Sequence, residues 1–533
     1  MAAPRVLSAL DVARIQLYHF KAIIIAGMSL FTDAYDLFCI APVLKMLGEI
    51  YYHEDSIGTP ILSIFYAIAL LGAALGQLIV GYLGDRLGRR RVYGLCLLIM
   101  VLSSFGCGFS VCTSRRSCVM ASLGFFRFIL GLGIGGDYPL SATIMSEFAN
   151  KKTRGTFISA VFSMQGLGIL MSSTVTMAVC SAFKTAGEGS SEKTRAAEAD
   201  IAWRLILMIG SIPAALTFYW RMRMPETARY TALVENDAIK AEKDMQKVMS
   251  ISKPSEIEED LPHQPPPPPS STSSCSYKLF SRRFFSLHGR DLFAASANWF
   301  LVDVVFYTSN LLLSQILNLS NKPTSSTNVY DTAFEVAKVA AIVAVCSTIP
   351  GYWFTVYFID RVGRVKIQIM GFFCMAVVYL VAGIPYSWST CHGISGAVGK
   401  LGAIVGTVGF LWGTKRDEEH KDAFPDVKRV RIAFLILGGV CIAGVLVTYF
   451  FTRETMGRSL EENEEDDICT SSAPGSPSAS EFPSVTTQSI DIELVQVPPH
   501  RLSRPYEDQR HGSDLNHSGA RGREFSGRRE SSC

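Results

Sequence analysis

Long apolar runs separated by short polar segments dominate this chain. Runs near 20 residues are long enough to cross the roughly 30 Å hydrocarbon core of a bilayer as α-helices. The pattern therefore predicts an all-α membrane protein with eleven spans. The predicted spans are 20–43, 61–83, 92–112, 118–142, 156–182, 201–222, 291–317, 334–358, 366–386, 393–413 and 431–451.

Two polar segments divide and end this pattern. Residues 223–290 contain an alternating Glu/Lys run and the prolines Pro265–Pro269. They predict a cytosolic linker with a helical start and a disordered middle. The linker separates a six-helix bundle at 1–222 from a second bundle at 291–460, and the polar tail 461–533 is predicted to be disordered.

Composition and charge exclude several classes of protein. The chain is 49% hydrophobic and 18% charged, with a net charge of +3 that is too small to indicate a nucleic-acid partner. It has no cysteine or histidine spacing typical of a metal site, and no nucleophile triad. The glycine-rich GIGGD run lacks the Gly-Lys-Ser/Thr of a nucleotide loop. We therefore predict no enzyme activity, no cofactor and no metal.

An internal repeat is visible in the loops. Gly84–Arg90 reads GDRLGRR after the second span, and Asp360–Arg364 reads DRVGR after the eighth. A second pair, PETAR at Pro225–Arg229 and RETMGR at Arg453–Arg458, follows the sixth and last spans. Matching halves are typical of transporters built from repeats, and basic loops mark the cytosolic side. The candidate gating residues are Gly84, Asp85, Arg86, Gly88, Arg89, Asp360, Arg361, Gly363 and Arg364.

Candidate functional charges lie inside the first and fourth predicted spans. Asp33 and Asp36 are one helical turn apart on similar faces. Arg127 precedes Asp137 by about 15 Å along one helix, so it lies nearer one membrane face. It is a candidate partner for Asp33 or Asp36, as a structural ion pair or as part of a gate. A carboxylate at membrane depth is expensive and by default indicates a functional site.

Further polar side chains lie in spans five and seven. Gln165 stands in a small, apolar run, where a lone amide more often joins helices than binds a ligand. Trp299, Asp303 and Tyr307 recur every four residues and therefore share one helix face. An aromatic stripe usually serves packing, but its interruption by Asp303 favours a function.

The run Gly135–Glu147, GGDYPLSATIMSE, closely resembles the signature of the plant and fungal proton-coupled phosphate transporters of the major facilitator superfamily. The resemblance implies a phosphate site in a central cavity and a proton route through aspartates of spans one and four. The phosphate-binding residues that it implies are Tyr138, Gln165, Trp299, Asp303, Tyr307 and Lys400. The proton-handling residues that it implies are Asp33, Asp36, Asp137 and Asp303, with Arg127 as their partner.

An aspartate beside an anion is consistent with coupled transport. A protonated Asp303 donates a hydrogen bond to phosphate, whereas the carboxylate repels it. Phenol, indole and amide groups supply further donors without a fixed cation. Proton and phosphate binding then favour each other, as linkage requires.

The chain departs from this family after the ninth predicted span. At Pro385–Gly393 it reads PYSWSTCHG, where the family has an extracellular turn and a tenth helix that supplies an asparagine to the phosphate site. Segment 393–413 then either crosses in reverse, leaving the tail outside, or forms a re-entrant helix that keeps the tail cytosolic. Its many glycines slightly favour the second arrangement.

The predicted function is phosphate:proton symport at the plasma membrane. The predicted partners are phosphate, protons and the lipid bilayer, with homo- or hetero-oligomers of related transporters left open. One alternative is a transport-deficient variant that acts as a regulator or sensor, or as a partner of intact transporters. The missing tenth helix also makes retention in the endoplasmic reticulum an alternative localisation. A second alternative is a sugar or organic-ion porter.

Overall fold

The computed structural model describes residues 17–52, 57–109, 115–187, 192–235, 237, 239–240, 281–311, 329–383, 407–408 and 427–458, and within these ranges its regular structure is helical. The first half contains α1 Leu17–Phe38, α2 Ile40–Tyr52, α3 Thr59–Leu87, α4 Arg89–Phe109, α5 Arg116–Phe148, α6 Arg154–Ala186, α7 Glu192–Ile209, α8 Ser211–Arg223 and α9 Ala228–Leu233. The second half contains α10 Arg282–Leu311, α11 Val329–Val343, a π-helical turn Ala344–Thr348, α12 Ile349–Val362, α13 Arg364–Gly383 and α14 Val427–Phe451.

The helices follow the predicted spans closely. Nine helices of the described ranges are long and apolar enough to cross a membrane, and α13 coincides with the ninth predicted span. The first span is longer than predicted, because α1 and α2 together form an apolar segment over His19–Tyr52. Predicted span 393–413 and Lys400 lie outside the described residues, except for Thr407 and Val408.

Glycines let α3 and α5 approach closely. A Cβ atom on Gly131 or Gly135 would collide with the carbonyl oxygen of Ala69 or Ala73. Without a hydrophobic driving force between helices in lipid, such close backbone contact is a main source of packing energy. The glycine-rich run therefore fixes the position of the helix that carries Asp137.

Helix α6 joins the two halves of the chain. It packs against α1 on one side and against α11 and α12 of the second half on the other. The second half has a further apolar core between α10, α13 and α14, which includes Val305, Phe372 and Cys441. This arrangement brings α5, α6, α10 and α12 together around the polar residues of the spans.

The boundaries of the predicted linker differ from the structure. Residues just after position 223 are packed, since Thr227, Arg229 and Tyr230 are buried. Helix α10 begins at Arg282, nine residues before the predicted start of the second bundle. The polar segments 241–280 and 459–533 lie outside the described residues.

Candidate functional site

The amide of Gln165 accepts hydrogen bonds from two tyrosines. Tyr138 of α5 donates its hydroxyl to Oε1 of Gln165 at 2.8 Å. Tyr352 of α12 donates to the same oxygen at 3.1 Å. All three side chains are buried, so a polar cluster in the membrane interior is built from both halves of the chain.

The predicted stripe on α10 faces this cluster. Asp303 is buried and lies within electrostatic range of Tyr138, Tyr307 and Tyr352. Phe38 of α1 stacks on Tyr307, with ring centroids 6.1 Å apart and planes 7° apart. The structure thus gathers a carboxyl group and several hydroxyl donors in one place.

Trp299 adds an unused donor. Its indole Nε1 is buried and has no hydrogen-bond acceptor among the described residues. A buried donor without an acceptor costs about 1–3 kcal/mol. Such a group is retained where a ligand or an ordered water accepts its hydrogen bond.

Asp137 has a partner that sequence reasoning missed. Nη1 of Arg221 lies 2.9 Å from Oδ1 of Asp137, and both side chains are completely buried. The guanidinium also stacks on the Tyr93 ring, 3.8 Å from its centroid. The pattern of charged residues predicted Arg127 as a partner of Asp33 or Asp36 and identified no cation specifically for Asp137; Arg221, 84 residues away in the chain, neutralises that carboxylate.

Arg127 lies beside Asp36, one of the two aspartates predicted as its partner. Its Nη1 donates to the main-chain carbonyl of Asp36 at 2.7 Å, and the Ser104 hydroxyl lies 3.1 Å from Oδ1 of Asp36. Asp33, also buried, lies within electrostatic range of both Arg221 and Tyr138. Asp33 is thus close to both the Arg221–Asp137 pair and the tyrosine cluster.

The repeated loops have the same local geometry in both halves. Gly88 and Gly363, with φ values of 93° and 104°, separate consecutive helices. A glutamate of the PET-type motif then caps the next helix: Glu226 accepts from the main-chain N–H of Arg90 at 3.2 Å, and Glu454 from that of Arg364 at 3.1 Å. A carboxylate at a helix N-terminus satisfies an orphan donor and the helix dipole.

The remaining loop residues show one difference between the halves. Asp85 pairs with Arg89 at 3.2 Å and is exposed, whereas Asp360 pairs with Arg364 at 2.8 Å and is largely buried. Asp360 also accepts from the main-chain N–H of Thr156, at 2.6 Å. Its carboxylate thereby joins α12 to the start of α6.

The other candidate gating residues lie in the same loops. Gly84 packs on Leu140, Arg86 stacks on Tyr82, and Arg361 stacks on Tyr357.

Two residues of the site were absent from the sequence prediction. Arg221 stands in the basic run WRMRMPETAR, which resembles an ordinary basic helix end. Tyr352 stands in an aromatic run with Trp353 and Phe354 that resembles a lipid-facing surface. The nearby PET motif was the one sequence signal that could have pointed to Arg221, and no sequence signal marked Tyr352.

Comparisons with known proteins agree with this architecture. A family profile described as "Sugar (and other) transporter" matches residues 21–415. Among solved structures, the proton:xylose symporter XylE bound to 6-bromo-6-deoxy-D-glucose superposes with a TM-score of 0.56, at 17% identity over 84% of this chain and 98% of that one. An inward-open conformation of XylE from E. coli gives a TM-score of 0.52 at 18% identity, over 84% of this chain and 99% of that one. At such identities the likeness shows the major facilitator fold.

Closer relatives narrow the family. The chain is 73% identical to "Probable inorganic phosphate transporter 1-9" of Arabidopsis thaliana, over 88% of this chain and 97% of the relative. It is 69% identical to "Probable inorganic phosphate transporter 1-8" of the same plant, over 87% and 94%. It is 44% identical to "Low affinity inorganic phosphate transporter 3" of Petunia hybrida, over 87% and 95%. This multi-pass, all-helical chain therefore belongs to the plant inorganic phosphate transporter family, within the wider family of sugar and other transporters.

Proposed function

We propose that this protein imports inorganic phosphate together with protons across the plasma membrane. The observation that carries the proposal is the cluster of Tyr138, Gln165, Asp303 and Tyr307, with the unused indole donor of Trp299 on the same helix as Asp303. Hydroxyl, amide and indole groups suit a tetrahedral oxyanion. The printed names of the close relatives support the same substrate, whereas the sugar symporters share only the fold.

Asp303 is the proposed coupling residue. In the low-dielectric interior, a carboxylate and a phosphate anion repel each other. A protonated carboxyl group instead donates a hydrogen bond to the anion. Loading of the proton and loading of phosphate thus favour each other, which is the thermodynamic condition for symport.

The aspartates of the first half form the proposed proton route. Asp33 is close to both the tyrosine cluster and the Arg221–Asp137 pair, and Asp36 lies against Arg127. The two helical bundles, 1–222 and 291–460, are the proposed moving bodies. Lys400 is proposed as a further positive charge near the anion. Oligomers of this chain with itself or with related transporters remain a separate proposal.

The test is uptake of labelled phosphate at pH 5 and pH 7, in yeast cells that lack their own high-affinity phosphate carriers. Uptake stimulated at pH 5 supports symport. Absence of uptake despite surface protein refutes it and favours the regulatory alternative. Surface protein is quantified in every case.

Asp303→Asn separates binding from coupling. An asparagine still donates a hydrogen bond to phosphate, but its amide does not bind and release a proton as a carboxyl group does. We expect the variant to exchange phosphate for phosphate across the membrane and to lose accumulation driven by a pH gradient. The matched control is Asp331→Asn, which removes an exposed carboxylate paired with Lys184 at 2.6 Å. Uptake by Asp303→Asn that still followed the pH gradient would exclude Asp303 as the coupling group.

A further inference from the structure

We propose that Tyr352 is a positioning residue of the phosphate site: its hydroxyl holds the Gln165 amide so that the amide N–H groups face the anion. This inference rests on the proposed function. Tyr352 is buried, and its hydroxyl lies 3.1 Å from Oε1 of Gln165. The residue belongs to α12, which contributes none of the phosphate-binding residues implied by the family resemblance.

The local backbone turns Tyr352 inward. Immediately before α12, the main-chain N–H of Ile349 bonds to the carbonyl of Ala344, five residues earlier. Such a π turn inserts one residue and rotates everything after it by about 100° around the helix axis. Pro350, which has no N–H of its own, follows at the start of α12. Tyr352 is consequently the buried residue of α12, whereas Trp353 and Tyr357 are exposed.

The chemistry of the amide explains why two phenols matter. A glutamine side chain has an acceptor oxygen and a donor NH₂ group, and rotation of the amide exchanges them. Phosphate oxygens need the donor, since the amide oxygen repels them. Tyr138 and Tyr352 each donate to Oε1, at 2.8 Å and 3.1 Å. Together they hold the oxygen on their side and leave Nε2 for the anion.

The contact also spans the two halves. Gln165 lies on α6 and Tyr352 on α12, and the same two helices meet again where Asp360 accepts from the Thr156 N–H. The orientation of Gln165 therefore depends on the position of α12 against α6. A shift of α12 that broke the hydrogen bond between Tyr352 and Gln165 would weaken phosphate binding. The affinity of the site is thereby linked to the proposed movement of one bundle against the other.

Tyr352→Phe removes one oxygen and keeps the ring. The loss of one hydrogen bond of about 1 kcal/mol corresponds to roughly a fivefold rise in the KM for phosphate, and we expect kcat to change by less than about twofold. Tyr357→Phe is the matched control on the same helix, because Arg361 still stacks on the remaining ring. We expect this control to behave as the unmodified protein.

The Gln165→Ala background decides how Tyr352 acts. If Tyr352 works through Gln165, adding Tyr352→Phe to Gln165→Ala raises the KM no further, because coupled residues are not additive. The phosphate Kd, measured by thermal stabilisation of the purified variants, replaces the KM where uptake is too slow.

Two results overturn the inference. One is an unchanged KM in Tyr352→Phe, and the other is an equal rise in KM with and without Gln165. An unchanged KM accompanied by a lower amount of folded protein would reveal a packing role only. Failure of the unmodified protein to bind or carry phosphate would instead refute the proposed function.

Discussion

Replacing Arg221 by methionine tests whether Asp137 depends on its buried partner. The two side chains lie 2.9 Å apart and are both completely buried. At an effective dielectric constant of about 20, charges at that distance attract by about 6 kcal/mol. Part of this attraction offsets the desolvation of the two ions. Removing one partner leaves an unpaired buried charge, and we expect the free energy of unfolding to fall by about 3–5 kcal/mol.

The measurement is reversible unfolding of the detergent-purified protein, followed in a double-mutant cycle. Removing both charges in Asp137→Leu/Arg221→Met should restore most of the loss, because a buried ion pair replaced by apolar residues of similar volume is often nearly neutral. The coupling energy should therefore exceed about 2 kcal/mol. Arg223→Met is the matched control, since Arg223 is exposed two residues further along the same helix.

Two results would refute this reasoning. One is Arg221→Met being no more destabilising than Arg223→Met, and the other is additive effects of the two single substitutions. The stable double variant also tests the proton route. Uptake that still follows the pH gradient without Asp137 would assign the moving proton to Asp33, Asp36 or Asp303.

Three further predictions concern the helix contacts, the loops and the binding site. Gly135→Ala should reduce the amount of folded protein, because the added Cβ atom would collide with the carbonyl oxygen of Ala73. Gly371→Ala is the control: the space around position 371 is open, and the alanine should stabilise α13 by up to about 1 kcal/mol. Thermal unfolding compares the two variants. Glu454→Gln should destabilise the start of α13 by about 0.5–2 kcal/mol, because it weakens the cap on the Arg364 N–H. It should also change the ratio of inward- to outward-facing protein, measured by labelling of a reporter cysteine. An unchanged ratio would exclude a gating role for Glu454. Trp299→Phe should raise the KM for phosphate several-fold at equal surface abundance, since it removes the buried indole donor, and an unchanged KM would exclude indole contact with the anion.

Hydrophobic runs and charged residues within them were sufficient to predict much of this protein. An apolar run of span length has to be helical in lipid, because every backbone polar group must be satisfied within the segment. Ten of the eleven predicted spans accordingly coincide with helices of the described ranges. The GDRLGRR and DRVGR loops were recognisable as a repeat from their shared residues, and the structure shows a glycine with positive φ between two helices in each.

The partners of the polar residues were decided by tertiary structure. Asp137 and Arg221 are 84 residues apart, and Gln165 and Tyr352 are 187 apart. Local periodicity places a side chain on a face of its own helix, but it does not say which helix packs against that face. The contact of α6 with α12 and the π turn before Tyr352 supply that information. For this reason the spans, the repeat and the candidate carboxylates were predictable from the order of residues, whereas the packing of the helices sets which cation neutralises Asp137 and which tyrosine orients Gln165.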